Sequence, residues 1–406
     1  MDSSRLKLID KYLGTFLVLV LAAFEWTRRL VSPARRRAGV DLSGLRRIAV
    51  IKTVAIGDVL QALPTLKALR ERFPDARIEF ITTPRVRDVV AGIPFVDEII
   101  YYDVFGKHSG IGGVARFARE LRARRYDAWI ELEHYYRFTT IIGWFTGARV
   151  RVGFAIPGQV RRFIFTIGAP YPTTAHELDS FLSIARTLGA VVEHPEPVPI
   201  PTDAEDERVT RAWAEASRAK LPPAQRGQGL VVLHTTTSPV SIGRRWRADR
   251  WVELANRIAA LYGLTAVWTG APEDLPGLQE LAVRTAQPSL ISAGALSLRQ
   301  YSVLASTAKL VVSVDTGPLH VAAATGTPTV ALFGPSDLRK WRPYGPGNAA
   351  ISAGLACSPC TTHYMGKISL KTCDDCMVAI SVDRVLEAIE SLPQGPPMIG
   401  RKDAVS

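Results

Sequence analysis

From Arg47 onward the chain alternates short apolar runs rich in β-branched residues with amphipathic stretches of helical period. Arg47–Thr53 (RIAVIKT) reads as a buried strand. After Gly57-Asp58, the stretch VLQALPTLKALRERF reads as a helix with one apolar face. Ala76–Thr83, Val96–Tyr102, Tyr126–Glu133 and Arg149–Phe154 continue the strand series. Residues 193–206 (EHPEPVPIPTDAED) then interrupt it with four prolines and several acids, as a hinge would. The alternation restarts with strand-like runs at Leu230–Thr236, Leu264–Gly270, Ser289–Ser292, Lys309–Asp315 and Thr327–Gly334. Helix-like stretches at Arg250–Leu261 and Pro276–Thr285 separate some of these runs, and a closing helix is expected near Val382–Leu392. Strands alternating with helices imply βαβ units, parallel sheets and right-handed crossovers. The fold class is therefore α/β, with two doubly wound, Rossmann-like domains facing a central cleft. Their expected limits are 46–200 and 201–380, with 381–406 as closing helix and tail.

The first 45 residues follow a different pattern. Tyr12 to Phe24 (YLGTFLVLVLAAF) carries no charge and is flanked by Lys7 and Lys11 on one side and by Glu25, Arg28 and Arg29 on the other. As a helix this run covers roughly 20 Å, short of the roughly 30 Å of a hydrocarbon core. A signal peptide has an apolar region of similar length, but Phe24-Glu25-Trp26 is bulky where a small-residue cleavage site is wanted. An in-plane or re-entrant helix is the preferred expectation, with Tyr12 and Trp26 at headgroup level and arginines facing anionic lipid. The alternative is an extra helix packed on the protein's own surface. Pro33–Gly44 reads as a linker into the first domain.

Composition narrows the class. The chain has 406 residues, 47% hydrophobic and 22% charged, which suits large buried cores and excludes a mainly disordered chain or a disulfide-stapled miniature. The net charge of +12 invites a nucleic-acid reading. Half of it, however, sits in residues 1–48, where ten basic residues face four acidic ones. No nucleic-acid-binding module or basic-aromatic stripe accompanies the rest, so nucleic acid is not an expected partner. Neither half shows the G-x-G-x-x-G dinucleotide fingerprint.

The richest chemistry lies in Leu310–Gly334 (LVVSVDTGPLHVAAATGTPTVALFG). A buried strand ends at Asp315, and Thr316-Gly317 turn into a helix that begins near Pro318, a residue suited to the first helical position. Free N–H groups, the positive end of the helix dipole and the Thr316 hydroxyl make an anion cradle, most naturally for a diphosphate. His320 lies one turn further on. In the first domain, Lys52, Thr53 and Gly57-Asp58 occupy the first βα turn, where Asp58 is either a helix cap or a carboxylate that accepts a proton. Arg244-Arg245-Trp246-Arg247 is a basic, aromatic turn suited to phosphate, or else an exposed charge run before a helix. Glu273 and Asp274 follow a strand and are placed to accept hydrogen bonds from ribose hydroxyls. Cys357-x2-Cys360 and Cys373-x2-Cys376 resemble a tetrahedral thiolate site, expected to be structural zinc, with two disulfides or four free thiols as the alternatives.

KTVAIGDVLQALPTLKALRERFP and, about 250 residues later, VDTGPLHVAAATGTPTVALFGPSD with RPYGP resemble the two signatures of the ADP-heptose:lipopolysaccharide heptosyltransferases, glycosyltransferase family 9. The resemblance spans residues 46–392 and implies a two-domain GT-B fold and an inverting transfer that needs no metal or other cofactor. By that resemblance Asp58 is the general base, with Lys52, Thr53 and Gly57 on the acceptor side. Thr316, Gly317 and His320, with Asp315 beside them, hold the donor diphosphate. Arg245 neutralises its phosphates, and Glu273 or Asp274 binds the ribose. The implied partners are an ADP-heptose-type nucleotide sugar and a lipid-linked glycan, at the cytoplasmic face of the inner membrane in peripheral or monotopic attachment. A different sugar donor, or a catalytically idle membrane-associated binding protein, is the alternative. The N-terminal apolar segment departs from the shorter members.

Overall fold

Uninterrupted apolar runs need cover on both faces, and a parallel sheet layered with helices provides it. The computed structural model, which describes residues 8–31, 40–134, 136–360 and 373–399, shows such a sheet in each of two units that divide between Pro195 and Glu196. In the first unit β1 (Arg47–Ile51), β2 (Arg77–Thr82), β3 (Glu98–Tyr101), β4 (Ala128–Glu131), β5 (Val150–Phe154) and β6 (Ile167–Ala169) lie in the order β3-β2-β1-β4-β5-β6. All pairs are parallel. Ile51 stands level with Ile81 on one side and Glu131 on the other. The residues that follow β1 and β4 therefore leave the sheet side by side, where the strand order reverses. That is the position at which open α/β sheets build sites.

Helix α1 (Thr15–Val31) precedes this sheet; α2 (Ile56–Arg72), α3 (Gly110–Ala123), α4 (Phe138–Phe145) and α5 (Glu177–Thr187) cover it. Val59, Leu63, Leu66 and Leu69 give α2 a buried face at helical spacing.

The second unit repeats the winding. Strands β7 (Gly229–His234), β8 (Leu264–Thr269), β9 (Leu290–Ile291), β10 (Leu310–Val314), β11 (Thr329–Phe333) and β12 (Asn348–Ser352) run parallel in the order β12-β11-β10-β7-β8-β9. Its helices are α6 (Ala204–Ala219), α7 (Ala248–Tyr262), α8 (Leu275–Arg284), α9 (Leu298–Thr307), α10 (Gly317–Ala324) and α11 (Val382–Glu390). Trp246, Trp251 and Trp268 fill its main core together with Val385, Leu386 and Ile389 of α11. The closing helix is thus part of the second unit, and α1 falls with the first. The expected boundary at 200/201 lies five residues past the observed division.

Ten strands match the expected runs, nine of them lying wholly inside and β7 starting one residue earlier at Gly229. The two unexpected ones, β6 and β12, are edge strands: β6 is three residues (IGA), and β12 (NAAIS) is rich in alanine. Neither carries the β-branched signal that marks a strand.

The apolar N-terminal run is helical, continued by a π-helical turn at Asp10–Gly14, and it packs on the first unit's own surface. Gly14, Val18 and Glu25 form the inward stripe. A Cβ on Gly14 would stand 3.0 Å from the Arg137 Cβ, so glycine permits the close approach. Two carboxylates bolt the helix down. Asp10 accepts the Arg137 and Phe138 backbone N–H groups at 2.9 Å, capping α4 from a distance in sequence. Burial raises its pKa, while those N–H groups and Arg137 work the other way. Glu25 accepts from Trp144 Nε1 at 2.8 Å and from Arg151 Nη2 at 3.1 Å. The outward face stays apolar: Tyr12, Phe16 and Trp26 are 67%, 60% and 61% exposed. No helix among the described residues is long and apolar enough to cross a membrane. Of the expected linker Pro33–Gly44, residues 33–39 lie outside the described residues.

Candidate functional site

The first unit gathers a charged cluster where β1 and β4 end. Lys52, immediately after β1, is fully buried, and its Nζ lies 3.0 Å from Asp58 Oδ2 and 3.2 Å from Glu133 Oε2. It also donates to the Val54 carbonyl. Burial works against the ammonium, but the two carboxylates outweigh it and hold its pKa above the usual lysine range. Glu133 Oε1 accepts both the Thr53 N–H and the Thr53 hydroxyl, each at 2.6 Å. Asp58 is the third residue of α2 and makes no cap; the N-cap is Ala55, which has no side-chain cap bond. The carboxylate is instead turned to Lys52, with 17% of its side chain open to solvent. Gly57, beside it in the first turn, is partly exposed.

Behind this cluster lies a second buried pair. Arg161 Nη1 donates to Glu131 Oε1 at 2.8 Å and to the Glu133 and Tyr136 carbonyls at 3.1 and 2.9 Å. Thr139 and Thr140 hydroxyls also donate to Glu131. Burial pushes Glu131 up to about 7, although Arg161 and the two hydroxyls pull it down. Sequence reading missed Glu131, Glu133 and Arg161, since acids at the end of an apolar run resemble a strand edge.

In the second unit β10 ends at Val314, and Thr316 is the N-cap of α10. Its side chain makes no cap bond, and its hydroxyl oxygen is buried with no hydrogen-bond partner among the described residues. Buried polar atoms are nearly always paired, so an orphan at a helix N-terminus marks a place for a ligand oxygen. Gly317 opens the helix, and His320, one turn in, is buried with its ring 6.3 Å from that of Trp341. Ser336, after the neighbouring strand β11, also carries a buried hydroxyl without a partner among the described residues, and nothing in the sequence singled it out.

Of the two adjacent arginines it is Arg244 that reaches Asp315, with Nη1 3.2 Å from Oδ2. Arg245 points instead to Thr237, its Nε 3.2 Å from the hydroxyl and an Nη 3.3 Å from the carbonyl. Arg245 remains exposed, and its charge is available to a ligand. Asp274 accepts the Ala271 N–H at 2.9 Å and so braces its own turn, whereas Glu273 is exposed. Nearby in the second unit, His234 ends β7 with Nδ1 2.9 Å from the Thr269 hydroxyl, and burial lowers its pKa to about 4, keeping the ring neutral.

All four cysteines are free thiols, so the disulfide alternative is not the observed one. The Asp375 backbone N–H lowers the Cys373 pKa, but the Asp375 carboxylate and burial outweigh it and the net shift is upward; burial raises that of Cys376. Among the described residues, no three His, Cys, Asp or Glu side chains converge as metal ligands; residues 361–372, between the pairs, lie outside them.

Two six-stranded parallel sheets of doubly wound topology, with the match of a glycosyltransferase family model, make this chain a two-domain glycosyltransferase. The model of glycosyltransferase family 9 (heptosyltransferase) matches residues 114–367, and the chain belongs to that family. It is 24% identical over 310 residues to lipopolysaccharide core heptosyltransferase OpsX of Haemophilus influenzae, covering 74% of this chain and 82% of that protein. Against lipopolysaccharide heptosyltransferase 3 of Escherichia coli K12 the identity is 26% over 302 residues, with coverage of 71% and 82%. The fold matches a crystal structure of a family 9 glycosyltransferase from Veillonella parvula with a TM-score of 0.73 and 24% identity, over 87% of this chain and 98% of that one. For E. coli heptosyltransferase WaaC with ADP the TM-score is 0.62 at 19% identity, over 85% and 99%.

The orphan hydroxyl yields a test that separates binding from folding. Thr316→Val removes a buried unsatisfied oxygen while keeping the shape, so the melting temperature should hold or rise. ADP affinity, measured by titration calorimetry, should fall by about tenfold, the loss of one hydrogen bond to a charged group. Unchanged affinity would remove Thr316 from the cradle.

Proposed function

We propose that this enzyme moves a heptose from an ADP-linked donor onto a lipopolysaccharide core or other lipid-linked acceptor, with inversion at the anomeric carbon. The observation that carries the reading is the buried, unpartnered Thr316 hydroxyl at the N-terminus of α10, a cradle for the donor diphosphate. The names of the relatives, lipopolysaccharide heptosyltransferases among them, support the donor and acceptor classes. Asp58 takes the proton of the acceptor hydroxyl as its oxygen bonds to the anomeric carbon. The bond from that carbon to the diphosphate oxygen breaks, and the electron pair leaves with ADP. Developing negative charge on ADP meets the helix N-terminus and the exposed Arg245 guanidinium, so the chain itself supplies the cationic charge that the step needs. Glu273 is the ribose acceptor in this reading, since Asp274 is committed to Ala271.

Asp58→Asn should lower kcat by at least a hundredfold with ADP binding intact, measured by product formation and by thermal shift with ADP, UDP and GDP. A near-normal rate would remove Asp58 from the mechanism. A shift with no nucleotide at all would favour an idle binding protein.

The proposed location is the cytoplasmic face of the inner membrane, with α1 lying in the plane of the interface. Its support is the exposed apolar face, along which Lys11 stands 5.4 Å from the Tyr12 ring and Arg28 5.8 Å from the Phe24 ring. Apolar surface interleaved with cations suits anionic lipid. The double variant Phe16→Glu, Val20→Glu changes only exposed positions, and it should sediment with anionic liposomes several-fold less than the parent chain. Equal sedimentation would refute the in-plane helix.

A structural zinc ion held by Cys357, Cys360, Cys373 and Cys376 is the third part of the reading, supported by the spacing of two Cys-x2-Cys pairs and by four free thiols. Elemental analysis should find one zinc per chain, lost in Cys360→Ser; a metal-free parent chain would leave the thiols free.

A further inference from the structure

We infer that Glu133 is a positioning residue for Asp58: acting through the buried Lys52 ammonium, it sets how strongly the exposed carboxylate holds a proton. The inference rests on the reading of Asp58 as the base. Three charged groups share one contact line, with Lys52 Nζ 3.0 Å from Asp58 and 3.2 Å from Glu133. Two carboxylates and one ammonium leave the trio with one net negative charge. Glu133 is wholly buried, and its other oxygen is taken up by the Thr53 N–H and hydroxyl. Of the trio only Asp58 reaches solvent. The arrangement is anchored at the back and open at the front, as a proton acceptor requires.

The charge balance explains why a second carboxylate is useful. A carboxylate alone with a buried ammonium is held firmly in its ionised form and is a poor base. Glu133 and Asp58 share the Lys52 ammonium, so loss of the Glu133 charge would leave that ammonium to Asp58 alone. The surrounding ionisable groups are few. Glu131 adds negative charge from the end of β4, and its partner Arg161 reaches the Glu133 carbonyl. Tyr136 is pushed up to about 12 by burial and then by the Glu133 charge, so it stays neutral. Asp10 and Arg137 lie beyond Arg161.

The sign of this effect can be read directly. In the full-length enzyme, kcat/KM should fall on the acid side as Asp58 protonates. Glu133→Gln keeps the shape and removes the competing charge, so Lys52 pairs with Asp58 alone. The acid limb should move down by about one pH unit, and the rate at neutral pH should fall several-fold as the base weakens. Lys52→Gln leaves two facing carboxylates, and the limb should move up by a similar amount. Glu133→Asp restores the charge and should return the limb to its parental position even where the shorter side chain lowers the rate. Lower rates with the limb unmoved in both charge-removing variants, or shifts of the same sign, would overturn the inference and leave Glu133 a purely structural brace. Circular dichroism and melting curves identify a variant that fails to fold. Should Glu133→Gln be one, the comparison passes to Lys52→Gln, whose limb should move up, against Glu133→Asp, whose limb should stay in place. Asp58→Asn tests the underlying reading separately: if that variant stays active, the base assignment fails whatever the limbs do.

Discussion

An ammonium group with no access to water can persist in the first unit only because two carboxylates come to it. Lys52 leaves β1 at the point where the strand order reverses, and Asp58 and Glu133 arrive from α2 and from the chain after β4. Much of the first unit's architecture follows from that need. The level register of β1 with β4 brings Thr53 and Glu133 together two residues past their strands. The second pair, Glu131 with Arg161, closes the same corner and holds the chain on both sides of Tyr136. A buried ion pair stabilises little in itself, because desolvation offsets most of the attraction. Its value here is orientation: one carboxylate is held facing outward, and every other charge is accounted for behind it.

The second unit meets the opposite electrostatic demand by a different route. In the reading proposed above it attracts negative charge, with backbone N–H groups at the start of α10 and with the exposed Arg245 guanidinium. Arg244 pairs with Asp315, while its neighbour Arg245 turns to Thr237 and stays exposed. The two sheets share a topology, yet one concentrates acids at the strand ends and the other keeps its strand ends ready for an anion.

How far this was legible from the sequence depends on whether the signal was local. Asp58 and Thr316 stood out because strand, turn and helix follow one another within a dozen residues, so the βα turn announces itself. Glu133 did not, because it lies 81 residues from Lys52 and only the sheet order makes them neighbours. Adjacent arginines 244 and 245 are equivalent as letters; backbone direction alone decides which one meets Asp315. The same holds for Glu273 and Asp274, where Asp274 accepts the Ala271 N–H and Glu273 stays exposed. The burial of Lys52, whose ammonium lies against both Asp58 and Glu133, was not legible, because one of its partners comes from a distant strand end. Strands β6 and β12 escaped because short edge strands of small residues lack a hydrophobic period.

The N-terminal helix was framed as a choice between membrane and protein surface, but one helix has two sides. Asp10 caps α4, the helix that begins just after the loop carrying Glu133 and Tyr136. Arg161, bonded to both carbonyls of that loop, feels the Asp10 charge as well. The helix is therefore an integral girder of the catalytic unit rather than a tether that could be exchanged. Loosening of this helix would therefore be felt, through Arg137 and Arg161, at the backbone that carries Glu133.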